Sequence, residues 1–225
     1  MSVGIDVNLT RRIILFGVES NFTPEFLETA RRLGMEVAAA VITGELEWDL
    51  AGMPNPVQIV APDLYSLPVA IPWVTPGLRF ARRRLAREMG LSQSASLVDP
   101  SAVIAATARV SSGTYINACA TIGAYASLDE GVLVNRNASV GHHSRLEHYV
   151  SLGPGVTIAS QCRIAKGAMI GAGAVIAPQI SVGENSVVTV GAVVAKDVPA
   201  HCVVAGNPAR VVRSGIAGYK DVSVA

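Results

Sequence analysis

The sequence predicts two units: a small α/β domain with a parallel sheet, then an all-β left-handed parallel β-helix of hexapeptide repeats. Two observations carry this. From Val98 to Val194 every sixth residue is Val, Ile or Leu without exception, and the residue two places before each is small or β-branched. Upstream, apolar runs alternate with Thr-Pro helix starts and glycine stops. The expected boundaries are 1–92 for the α/β domain and 93–213 for the β-helix, with 214–225 as a C-terminal tail.

A helix cannot produce the six-residue period, because six steps of about 100° return to about 240° and not to one face. A hexapeptide made of one short flat strand and a corner does produce it, and three such units close a triangular coil of about 18 residues. The large aliphatic fills the prism and the small residue leaves room beside it. Residues i and i+18 therefore stack at about 4.8 Å, so neighbours in space are named by arithmetic. The regular hexapeptide form is left-handed, an exception to the right-handed crossover rule.

In the first domain, Arg11 to Val18 reads as a buried strand ending at Gly17. Thr23-Pro24-Glu25 then supplies an N-cap, a proline at the first helical position and an acid in the first turn, for a helix from Pro24 to Leu33. Met35 to Thr43 is a second strand and completes a βαβ unit. The punctuation recurs at Thr75-Pro76, after an apolar stretch from Pro68 to Val74. The helix Pro76 to Met89 carries Arg79, Arg82, Arg83, Arg84 and Arg87. Its arginines are expected on a solvated surface with Leu78, Ala81, Leu85 and Met89 inward, or, for Arg79 and Arg83, on a phosphate. The loop Gly17-Val18-Glu19-Ser20-Asn21 has one glycine and a carboxylate where a dinucleotide fingerprint needs three glycines. Dinucleotide binding is disfavoured. Asn21 and Arg79 remain as donors for a smaller polar acceptor.

A net charge of +1 with 16 % charged residues gives no case for nucleic acid or an anionic membrane as partner. Three scattered cysteines, Cys119, Cys162 and Cys202, read as reduced thiols of a cytoplasmic protein. No basic-then-apolar leader and no apolar run of 18 residues is present, so neither secretion nor membrane insertion is expected.

Three of the four histidines fall in Gly141-His142-His143-Ser144-Arg145-Leu146-Glu147-His148. With Val140 and Leu146 inward, His142 and His143 sit on a corner and project outward. An exterior corner gives histidine no packing role, and an imidazole titrating near neutral pH suits a general base for acyl transfer. A three-histidine metal site is excluded, since Thr107 stands two coils before His143; no metal is expected. Ser160 lies one rung from His142, where its backbone N–H can stabilise an oxyanion.

Asn135-Arg136-Asn137-Ala138-Ser139-Val140-Gly141-His142-His143-Ser144, Val150 to Gly155, and Ala205-Gly206-Asn207-Pro208-Ala209-Arg210 resemble the bacterial hexapeptide-repeat acyltransferases, which include sialic-acid O-acetyltransferases and nucleotide-sugar N-acetyltransferases. The resemblance implies a homotrimer using acetyl-CoA or another acyl-CoA, by direct transfer to a sugar, nucleotide sugar or similar acceptor. It implies His142 as base, Asn135 (with His143 beside it) on the acceptor, and CoA between two β-helices. CoA contacts are implied at Ser151, Ala172, Val190, Gly191, Asn207 and Pro208, with Lys196 and Arg210 as phosphate ligands. Departures are equally clear. His143 stands where the family has an acid after the base, Ser151 replaces a second histidine, and the uridine-gripping loop and acids are missing. The alternative is a non-catalytic trimeric scaffold that kept the fold and lost the site.

Overall fold

The computed structural model describes residues 11–45 and 53–225; positions 1–10 and 46–52 of the expected first domain lie outside them. The first domain is built as β1 (Arg12–Phe16), α1 (Thr23–Arg32), β2 (Glu36–Val41), β3 (Val69–Ala70) and α2 (Pro76–Glu88). Its three strands are parallel in the order β2-β1-β3, with Ile13, Ile14, Leu15 and Phe16 fully buried at the centre. The expected third strand shrinks to two residues, because Pro68 and Pro72 flank it and cannot donate to a ladder. Thr23 is the first helical residue and not the cap: its hydroxyl donates to Val18 O at 2.9 Å and the cap position falls to Phe22.

Each periodic aliphatic is the second residue of one two-residue strand, from Leu97–Val98 to Val193–Val194. Every one from Ile116 onward is buried, and the two-residue strands pair with one another at a separation of 18 residues, as in Leu133↔Ser151 and Val140↔Ile158, until the coil ends with Val182↔Val198 and Val188↔Val204. The result is a parallel β-helix with three faces. One bears the outward column Leu97, Tyr115, Leu133, Ser151, Met169, Val187; the second Val103, Thr121, Ser139, Thr157, Val175, Val193; the third Arg109, Ser127, Arg145, Arg163, Ser181. A hairpin of Cys202–Gly206 and Ala209–Ser214 extends the first face.

The first face is where the α/β domain docks. Tyr115 stacks on Phe26 with ring centroids 3.9 Å apart, its hydroxyl 2.9 Å from Thr29 Oγ1. The inward side of α2 matches the expectation only in part: Met89 packs on the core and Leu78 and Ala81 are half-buried, but Leu85 is exposed, and the buried residues are Arg79, Arg83 and Ala86. These three, spaced i, i+4, i+7, share one face. Arg79 donates to Gly131 O (2.8 Å), Tyr149 O (3.0 Å), Val150 O (3.2 Å) and Ser151 Oγ (2.9 Å) across the domain boundary, and to Trp73 O and Val74 O within its own domain. Burial pulls its pKa down to about 9, which still leaves the guanidinium charged at neutral pH. The surface it meets is a set of carbonyl oxygens that need donors, so an arginine fits there and a leucine would not.

Candidate active site

His142 and His143 stand together on the edge between the second and third faces, both exposed. His143 is the left-handed residue of the corner (φ 59°). Its ring stacks on Tyr125, one rung below, with centroids 4.9 Å apart. The two Nδ1 atoms of the histidine pair are 3.0 Å apart. One ring must donate and the other accept, so a His142 that donates from Nδ1 presents the lone pair of Nε2 outward.

Ser160 stands on the rung above: a Cβ on Gly141 would lie 2.7 Å from Ser160 N, the same close stacking seen at Gly123, Gly153 and Gly171. Gln161 N donates to His142 O at 2.9 Å, which fixes the rungs in register. Among the described residues the Ser160 N–H donates to no atom, and it lies one rung above His142. Lys196 is exposed further along this same edge.

The other edge of the second face carries Asn135, Ala172, Val190 and Gly191. Asn135 is buried, and its Oδ1 accepts from Asn117 Nδ2 (3.1 Å) and Arg136 N (2.8 Å). Glu25 of α1 accepts from Asn117 Nδ2 at 2.9 Å and pairs with Arg136, which braces the amide from the α/β domain. The Asn135 Nδ2 group has no partner among the described residues, and Asn135 lines a cavity of about 350 Å³ together with Ala172 and Val190. Beyond it the hairpin exposes Asn207, Pro208 and Arg210, with a cis Asn207–Pro208 bond.

Two expected contacts are corrected. Ser151 is fully buried, donating to Val74 O at 2.6 Å and accepting from Arg79, so it faces the docked domain and not a groove. Arg79 spends its guanidinium on protein oxygens and offers nothing to an acceptor. Asn21 is exposed on the loop before α1. Next to it, burial alone would raise the Glu19 carboxyl, but hydrogen bonds from Thr43 and Arg82 outweigh that and hold it below the usual range. Trp73 Nε1 donates to Gly17 O at 2.7 Å, so the chain itself closes the loop after β1. Two contributors escaped the sequence reading: Tyr125, which counting 18 residues back from His143 would have found, and Tyr219, in a tail without repeat phase.

The coil with the α/β domain docked on its first face is a hexapeptide-repeat β-helix fold. No protein-family model and no curated protein matches the chain. Among solved structures, a mutant perosamine N-acetyltransferase from Caulobacter crescentus, in complex with CoA and GDP-perosamine, superposes with a TM-score of 0.81 at 26 % identity, over 90 % of this chain and 97 % of that one. The acetyltransferase domain of PglB from Neisseria gonorrhoeae, in complex with acetyl coenzyme A, gives 0.79 at 25 %, over 90 % and 100 %. WeeI from Acinetobacter baumannii gives 0.78 at 25 %, over 89 % and 100 %. The similarity spans both domains, and the neighbours that carry a ligand are acetyltransferases holding CoA or acetyl-CoA.

Proposed function

We propose that the chain is an acetyl-CoA-dependent acyltransferase acting on a nucleotide-linked or free sugar, with His142 as general base. The observation that carries this is the pairing on one edge of an outward imidazole with an unpartnered N–H one rung above. His142 Nε2 takes the proton of an acceptor amine or hydroxyl as the acceptor attacks the thioester carbonyl. The Ser160 N–H faces the oxyanion that forms, and CoA leaves as the thiol.

The site is incomplete in one chain. His142 and Asn135 occupy different edges of the same prism, separated by the strand Ser139–Val140. Of the three faces, the first is covered by the α/β domain. The third is charged and self-paired, with Arg145–Asp129 at 2.9 Å and Arg163–Glu147 at 2.7 Å. The second has no charge in its outward column and leaves Val103 and Val175 exposed. Turning that face toward a threefold axis sets the His142 edge of one copy against the Asn135 edge of the next, a heterologous contact that closes at three. The reading is therefore a homotrimer with a groove for CoA between copies, along Lys196 on one wall and Ala172, Val190, Gly191 and the Asn207-Pro208-Arg210 hairpin on the other.

The test is acetyl transfer from acetyl-CoA to a panel of nucleotide-linked and free amino sugars and their hydroxyl counterparts, followed by mass spectrometry. An acetylated product that vanishes in His142→Ala, with CoA binding retained, supports the proposal. A wild-type protein that binds no CoA would favour the non-catalytic scaffold instead.

A further inference from the structure

The last residues of the chain are built into the first face and not left beside it. Val224 N donates to Asn185 Oδ1 at 2.9 Å and Asn185 Nδ2 donates back to Val224 O at 3.2 Å, both bonds buried. Ile216 and Val224 are buried, and a Cβ on Gly77 at the start of α2 would lie 2.5 Å from Val222 O. The strand of tail between these anchors makes a tight turn at Tyr219–Asp221, in which Lys220 and Asp221 both adopt left-handed backbone conformations at φ 57°. Two such non-glycine residues in succession persist only where the surroundings dictate them.

That turn places Tyr219 on the wall of the 350 Å³ cavity, opposite the edge that bears Asn135, Ala172 and Val190. The lining is mostly aliphatic. Three polar groups of its lining residues have no partner among the described residues: Asn135 Nδ2, the Thr189 hydroxyl and the Tyr219 hydroxyl. An apolar cavity with a few separated donors and acceptors matches a chain in which methylenes alternate with amides. The pantetheine arm of acyl-CoA has that character, whereas a sugar ring, with a hydroxyl on nearly every carbon, would leave most of its groups unpaired.

We propose that Tyr219 forms the inner wall of the acyl-CoA groove and contacts the pantetheine arm, with the Asn185–Val224 clasp holding it there. The inference rests on the acyl-CoA-dependent reading above and adds a cofactor contact from the tail, which the repeat does not supply. Calorimetric titration of the full-length protein with CoA and acetyl-CoA, beside steady-state kinetics, tests it. Tyr219→Ala should weaken CoA and acetyl-CoA alike about tenfold, and in kinetics the rise should fall on the acetyl-CoA KM and exceed any change in the acceptor KM. Tyr219→Phe, which keeps the ring and loses the hydroxyl, should fall between. Asn185→Ala, far from the groove lining, should weaken CoA in the same direction by releasing the clasp, so the proposal stays testable if Tyr219→Ala folds poorly. CoA affinity unchanged in these variants, or a loss that falls on the acceptor KM, overturns the role of Tyr219. A wild-type protein that binds no CoA overturns the parent reading instead.

Discussion

The Nδ1 atoms of His142 and His143 lie 3.0 Å apart, so at least one of the two rings is neutral whenever the contact is made. In the proposed mechanism His142 donates from Nδ1 and His143 accepts, with Tyr125 stacked on the His143 ring. Replacing the base should cost far more than replacing its neighbour. Steady-state assays should show kcat of His142→Ala down by about 10²–10⁴-fold and that of His143→Ala by about tenfold at most. Equal losses, or a silent His142→Ala, would show that the base is elsewhere.

Arg79 holds the two domains together through buried hydrogen bonds to oxygens of both. Arg79→Met removes every donor at once and leaves carbonyls buried without partners, so it should cost about 3 kcal/mol or more in urea unfolding. Arg84→Met, on the exposed side of the same helix, should stay within about 0.5 kcal/mol. If both variants melt alike, the arginine clamp contributes nothing.

The trimer should be obligatory for CoA binding. Thr157→Arg plants a charge on the uncharged face without disturbing the prism interior, since the side chain is already exposed. Sedimentation should report monomers, and calorimetry on the same sample no CoA binding. A folded monomer that binds CoA would refute the two-subunit groove.

Tyr115 and Tyr149 lie at the domain boundary, and burial raises the phenol of both, that of Tyr149 to about 12. The folded state thus favours the un-ionised form. Its contribution is present in full below the ordinary tyrosine value of about 10 and is lost as pH rises through about 12, on the order of 2–3 kcal/mol for Tyr149. Tyrosinate absorbance should rise late for these two, together with loss of the docked domain. Ionisation of all five tyrosines near pH 10 in the folded protein would contradict this.

Uridine-diphosphate sugars should bind weakly. The loop after β1 is occupied by the chain's own Trp73 and by Glu19, and an anion about 4 Å from a carboxylate near a protein surface is repelled by about 4 kcal/mol. Titration with several nucleotide sugars decides it: micromolar binding of a uridine-linked amino sugar would reverse the expectation.

The β-helix was legible because its rule is strictly local. A fixed period sets inward and outward for every residue, and adding 18 places Ser160 over His142. The α/β domain was less so. Hydrophobic spacing put Leu85 inward and Arg79 outward, because that logic assumes an apolar partner surface, and here α2 meets oxygen atoms along a coil. Ser151 was misread for a related reason: its phase shows which face it is on, but not that another domain lies over that face. The tail has neither period nor helix signal, so its clasp through Asn185 left no trace in the sequence.

The 18-residue register also makes the β-helix a ruler with discrete graduations. Inserting one complete coil beyond Val188 would lengthen the prism by about 4.8 Å and leave every rung below it in phase. Inserting a single residue between His142 and Ser160 would rotate everything after it by one position, turn aliphatic side chains out to water and carry the N–H away from the imidazole. Length variation in such a chain is therefore quantised, and the spacing between His142 and Ser160 can be inherited only whole.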